Sequence, residues 1–106
     1  MIYELREYVA TPGAADRLNA RFADHTLALF DRHGLNVAGF WTDAADPGRV
    51  VYLLTFPDEE AQRAAWQAFG ADPEWKRVKA ESESGGAIVA EMHSRNLVQA
   101  PYWPAS

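Results

Sequence analysis

Two stretches of this sequence carry side chains able to move a proton or hold a negative charge. Near the start, Glu4, Arg6 and Tyr8 recur at every second residue, and near the end Glu91, His93 and Arg95 do the same. In an extended strand that spacing sets each trio on one face. Histidine titrates closest to neutrality, so His93 is the candidate general base. Arg6 and Arg95 would supply fixed positive charge for an anionic or enolate oxygen, Tyr8 would donate a hydrogen bond, and Glu4 would complete the binding wall. A structural alternative uses the same residues. Cross-strand ion pairs, Glu4 with Arg95 or Arg6 with Glu91, would neutralise a wet sheet face.

His25 is the second candidate catalytic group. It falls in an apolar helical stripe of Leu18, Phe22 and Leu29 at spacings of four, three and four, an odd place for a residue that is usually half exposed. The plain alternative is a histidine at the edge of the core with one ring nitrogen satisfied. His33, in the last turn of the same helix, can interact with the negative helix end. A metal shared by His25 and His33 fails on distance, because eight helical residues span about 12 Å. With no HExxH and no carboxylate cluster, no metal is expected. Trp41 and Tyr52, with Phe40, Trp66, Trp75 and Trp103, could line a pocket for a small hydrophobic or aromatic ligand; the alternative makes them core and interface anchors. No nucleotide loop, nucleophile elbow or haem-ligand motif is present, and no cofactor is expected.

The elements that must position these groups are legible in the pattern. Ile2 to Val9 alternates, with Tyr3, Leu5 and Val9 on an expected core face and Ile2, Glu4, Arg6 and Tyr8 on an expected outward face. Thr11 as cap and Pro12 in the first turn predict a helix running to about His33, stopped by Gly34. Leu35 to Thr42 reads as a second strand, Asp43 to Arg49 as a hairpin loop and Val50 to Phe56 as a third strand, apolar on both faces. A second helix begins at Pro57–Asp58, with Ala61, Ala65 and Ala68 as a flat packing face. Gly70 breaks it, and Asp72–Pro73 restarts it. Ala87 to about Leu97 completes the order as a fourth strand.

Strand, helix, strand, strand, helix, strand is the split βαβ arrangement. It predicts an α+β, ferredoxin-like fold with a four-stranded antiparallel sheet and both helices on one face. The whole chain, residues 1–106, makes one domain. In this topology the first and last strands are neighbours, so both charged trios should share one outward patch. The uncovered face is not plainly polar, and a second copy is its simplest cover. A homodimer closing around an interior space is therefore expected, and a charge at Val50 or Leu54 should break the dimer or the fold.

Composition narrows the function classes. Ten Lys and Arg against fifteen Asp and Glu give a formal charge of -5, which disfavours nucleic acid or an anionic membrane as partner. The chain has no cysteine, so thiol chemistry and disulfides are excluded. No apolar run approaches the ~20 residues that span a bilayer, and the start reads as a strand rather than a signal sequence. A cytoplasmic protein is expected.

Several segments, taken together, resemble the NIPSNAP family. They are Met1-Ile2-Tyr3-Glu4-Leu5-Arg6, Pro12-Gly13, Arg32-His33-Gly34, Gly39-Phe40-Trp41-Thr42, Val50-Val51-Tyr52-Leu53, Ala71-Asp72-Pro73-Glu74-Trp75 and the closing Ala100-Pro101-Tyr102. The resemblance implies a dimeric α/β barrel, in a superfamily that also holds cofactor-free monooxygenases, haem-degrading proteins and small isomerase-like enzymes. This chain departs from the family pattern in two places. It has His93-Ser94-Arg95-Asn96 where a Glu-Asn-Arg-like run is expected, and Tyr52 and Leu54 where histidine and tryptophan are common. The expectation is a cofactor-independent small-molecule enzyme with monooxygenase- or isomerase-like acid/base chemistry; the alternative is a non-catalytic ligand-binding or dimeric accessory protein.

Overall fold

The computed structural model describes residues 1–104. Strand β1 (Ile2–Ala10) leads into a helix made of α1 (Ala15–Arg21), one π turn (Phe22–Thr26) and α2 (Leu27–Arg32). The hairpin of β2 (Asn36–Asp43) and β3 (Asp46–Phe56) follows, then α3 (Glu59–Ala71), α4 (Pro73–Ser82) and β4 (Val89–Leu97). The sheet runs β2-β3-β1-β4 with every neighbour antiparallel, the ferredoxin-like order. Among the described residues no helix is long and apolar enough to cross a membrane.

Which face of β1 is inside is the first difference from the sequence reading. Residues directly opposite in an antiparallel pair share a face, and Glu4, Arg6 and Tyr8 stand opposite Leu54, Tyr52 and Val50. Those three β3 side chains are completely buried beneath the helices. Glu4, Arg6 and Tyr8 therefore point into the helix layer, while Tyr3, Leu5 and Val9 point to the uncovered side. The larger apolar set of β3 decides the matter. Tyr52, with Phe22, Phe30 and Phe40 packed on its ring, anchors an aromatic core that the smaller Val51 and Leu53 could not replace. Val50 and Leu54, expected to face a partner copy, belong to that same inner layer.

The uncovered face is apolar over β2, β3 and Leu5, while Glu7, Glu91, His93 and Arg95 make its β4 side charged. Leu5, Leu53 and Val51 are half-buried there, and Trp41 is 53% exposed. The Trp41 ring lies across Gly39, where a Cβ would push the indole out of its place.

The long helix contains the second difference. A regular 3.6-residue period would place His25 in the buried stripe. The π turn inserts one extra residue per turn, with the Leu27 N–H donating to the Phe22 carbonyl. The phase slips accordingly: Thr26 is buried, its hydroxyl donating to the Arg21 carbonyl at 3.2 Å, and His25 is exposed.

Ends and turns follow familiar chemistry with local changes. Thr11 does not cap the helix; its hydroxyl donates to the Ala87 carbonyl at 2.9 Å, tying the end of β1 to the lead into β4. The expected loop between β2 and β3 shrinks to a turn at Ala44–Ala45, and Asp46 to Arg49 extends β3. Gly34 stops α2 at φ +77°, the left-handed conformation glycine adopts without cost. Asp58 caps α3 by accepting from the Ala61 N–H, and the helix continues through Gly70 to Ala71.

Asp72 caps α4 by accepting from the Glu74 N–H at 2.8 Å, and it also accepts from His33 Nε2 at 2.6 Å and Arg32 at 3.1 Å. The His33 bond, then the Glu74 N–H, hold its carboxyl down at about 2 from an ordinary 3.8. A depressed carboxyl stabilises the fold above its unfolded value and ceases to do so as pH falls through the folded one. The Asp72→Asn variant should therefore lose part of the stability gained between about pH 2 and pH 4. Urea midpoints measured across that range should converge for the two proteins at the acid end; parallel curves would contradict the assignment.

Candidate functional site

Strand alternation brings Glu4, Arg6 and Tyr8 of β1 together with Tyr52 of β3, all four of them candidates from the sequence. Arg6 is the hub. Its Nε donates to the Tyr52 hydroxyl, one terminal nitrogen to the Tyr8 hydroxyl and the other to Glu4 Oε2, each at 2.8 Å. The remaining oxygen of Glu4 accepts from Trp66 Nε1 at 2.7 Å and from Gln62 Nε2 at 2.8 Å. Gln62 and Asn96 then exchange hydrogen bonds, linking α3 to β4. The Arg6 guanidinium also lies 4.3 Å from the Trp66 ring centroid, a cation–π contact.

The ion pair is nearly dry, with side-chain exposures of 11% for Arg6 and 6% for Glu4. Burial acts to lower the Arg6 pKa, but Tyr52, Tyr8 and the Glu4 bond together outweigh it, and the net direction is upward. Arg6 is a permanent cation. Burial first, then Tyr8, raises the Tyr52 phenol above its ordinary value despite the opposing charge of Arg6, so Tyr52 stays protonated. Its hydroxyl donates to Tyr8 at 3.4 Å. Tyr8 thus receives hydrogen bonds from Arg6 and Tyr52, while its own proton has no acceptor among the described residues. A phenol polarised in this way is a ready donor to an oxygen bearing negative charge.

The cluster is not sealed. On the same face of the sheet, Met92 and Ser94 of β4 stand opposite Tyr8 and Arg6, and both are exposed, as is Asn96 opposite Glu4. The helices leave Met92 and Ser94 uncovered, and Tyr8 is half-buried beside them.

The other candidates lie elsewhere. Glu7 stands opposite His93 and Leu5 opposite Arg95, so His93, Arg95 and Glu91 project from the uncovered face. The single patch of six charged and phenolic groups expected from sequence is therefore divided by the sheet itself. His93 cannot serve Tyr8 as a base. With Leu5, Glu7, Ser94 and Arg95 it borders a shallow cavity of about 300 Å³, and its Nε2 lies 3.6 Å from Glu91. The expected Glu4–Arg95 and Arg6–Glu91 pairs do not form; Arg6 takes Glu4, and Arg49 takes Glu7 at 2.8 Å. Trp41 is on the uncovered face and Tyr52 on the inner one, so they do not share a pocket. His25 borders a groove against α4. Among the described residues no group of three His, Cys, Asp or Glu side chains could hold a metal ion.

Sequence reasoning missed Gln62, named Trp66 only among the aromatic residues of a possible pocket or core, and missed Asn96. The first two are spaced i, i+4 on the buried side of α3, and a glutamine on a face otherwise made of Ala61, Ala65 and Phe69 is the signal that could have found them.

The sequence profile of the NIPSNAP family matches residues 3–104. No curated protein matches the chain. Among solved structures, an uncharacterized NIPSNAP domain protein from Burkholderia xenovorans is 23% identical, with a TM-score of 0.83 over 99% of this chain and 100% of its own. A NIPSNAP family protein from Agrobacterium tumefaciens is 14% identical, with a TM-score of 0.84 over 99% of this chain and 98% of its own. A protein from Bacteroides thetaiotaomicron described as a putative antibiotic biosynthesis monooxygenase is 18% identical, with a TM-score of 0.68 over 99% and 95% of the two chains. These likenesses establish a shared fold, and with the profile match spanning nearly every residue, the chain belongs to the NIPSNAP family.

Proposed function

We propose that this chain is a cofactor-independent small-molecule enzyme, working as a homodimer, that stabilises the oxyanion of a bound phenol or enol at Tyr8. The observation that carries this reading is the donor chain from Arg6 and Tyr52 to a Tyr8 hydroxyl whose proton is uncommitted. The ligand would lie along the exposed inner strip of β4, against Met92 and Ser94. A phenol or enol that gives its proton to solvent keeps the electron pair on oxygen, where the Tyr8 O–H and the charge behind it lower its energy. No protein base is needed for that step.

Fold analogy is a weaker support. Antibiotic biosynthesis monooxygenases share the architecture. In an oxygenase version the stabilised anion would react with O₂: a CH₂ group becomes C=O, the second oxygen atom leaves as water, and the substrate supplies all four electrons. The homodimer rests on the apolar part of the uncovered sheet face around Leu5, Val51, Leu53 and Trp41, which a second copy of the same face would cover.

One observation favours a second reading. Glu4 already neutralises Arg6, and no uncommitted base stands beside Tyr8 among the described residues. That arrangement suits a ligand-binding protein without turnover.

The test uses 4-nitrophenol, whose ionised form absorbs visible light. Bound to the wild type, the probe should ionise at least about one pH unit lower than in water, the equivalent of about 1.4 kcal/mol. Tyr8→Phe should abolish the shift. Binding without any change in ionisation would overturn the proposal, and consumption of a phenolic substrate under O₂ would separate the enzyme from the passive binder.

A further inference from the structure

α1, the π turn, α4 and the turn that follows α4 border an open groove of about 450 Å³. That volume suits a small organic ligand. Arg17, Arg21 and His25 fall on successive turns of the long helix and all border it. Arg21 is unusual among them. It is only 7% exposed, and a guanidinium so deeply buried normally has every N–H satisfied. Here one terminal nitrogen donates to the Ser82 hydroxyl at 3.1 Å, Glu83 stands 3.7 Å away and Nε has no acceptor among the described residues. Its charge is left with a neutral hydroxyl, a carboxylate beyond hydrogen-bond reach and the Trp75 ring at 5.3 Å. Burial lowers its pKa, which is the direction expected of a cation short of partners.

The charges around it are unequally committed. Glu81 is taken by Arg77 at 3.1 Å, and Asp24 on the rim makes no ion pair among the described residues. Arg17 and His25 make no ion pair among the described residues. An uncommitted arginine beside an incompletely satisfied buried one, in a groove with Ala20 and Val78 on its walls, fits an anionic head on a small apolar body. Planar guanidinium groups recognise carboxylate and phosphate oxygens alike.

We propose that this groove is a second ligand site, distinct from the Tyr8 cluster, where Arg21 and Arg17 together hold the oxyanion head of a small organic molecule.

The test is an NMR titration that follows the Arg21 Nε–H signal, with inorganic phosphate and with succinate added separately at constant ionic strength. The signal should move saturably with at least one anion, and the tighter of the two identifies the head group. In Arg17→Gln, an exposed change that leaves the core intact, binding should weaken at least about tenfold, the loss expected when a charge-assisted hydrogen bond is removed. Arg21→Gln should abolish saturation, read from the Trp75 indole signal. No movement with either anion, or equal affinity in Arg17→Gln, would overturn the assignment.

Discussion

Arg6→Met should destabilise the protein by about 3–5 kcal/mol, the range for stranding one member of a buried ion pair. Glu4 would keep its bonds from Trp66 and Gln62 but lose its cation inside the helix layer, at a position with almost no solvent to replace it. Tyr8 and Tyr52 would each lose a donor as well. A carboxylate deprived of its counter-charge in that setting is the costly element, rather than the lost contact as such. It follows that Glu4→Gln combined with Arg6→Met should recover much of the loss, because the charge itself is then gone. Urea unfolding of the single and double variants measures this directly. A single variant within about 1 kcal/mol of wild type would mean that water reaches the pair.

Leu53→Asp and Leu54→Asp, neighbours in sequence, should behave in opposite ways. Leu54 is fully buried beneath the helices, so an aspartate there puts an unpaired charge in the core and should prevent folding. Leu53 lies on the uncovered face, half-buried in the single chain. A charge there leaves the core untouched and should weaken self-association at least about thirtyfold, equivalent to about 2 kcal/mol at an interface centre. Sedimentation of both variants, with circular dichroism as the folding check, decides the matter. A folded Leu54→Asp would show that the faces are misassigned. An undiminished dimer in Leu53→Asp would place the interface elsewhere.

The fold could be read from sequence because its signals were redundant. Helix and strand periods alternated in one order that matches a single common topology, and Asp58, Asp72 and Gly34 marked helix ends where the structure has them. The site was harder to read, for reasons of symmetry. A strand with mixed residues on both faces does not announce which face is inside. Glu4 and Arg6 looked outward because charged residues usually are, and a mutually satisfied pair is the exception to that rule. Deciding the question required β3, where Tyr52 outweighs Leu53 in core volume. The division of His93 from Tyr8 follows from register, since Glu7 rather than Arg6 stands opposite His93. No local pattern encodes that pairing. His25 was misplaced because a π turn shifts helical phase by one residue, and nothing in Phe22 to Thr26 signals it by composition.

The claim on which the rest depends is that the working face of the sheet is the one beneath the helices. Two tryptophans sit on opposite sides of that sheet, Trp66 bonded to Glu4 in the inner cluster and Trp41 on the uncovered face. Their indole N–H signals can be followed in one NMR titration with 4-nitrophenol, after assignment by Trp66→Phe and Trp41→Phe. On that claim the Trp66 signal moves with the probe while that of Trp41 stays in place. Movement of Trp41 with Trp66 unchanged would put the ligand on the His93 side and contradict it.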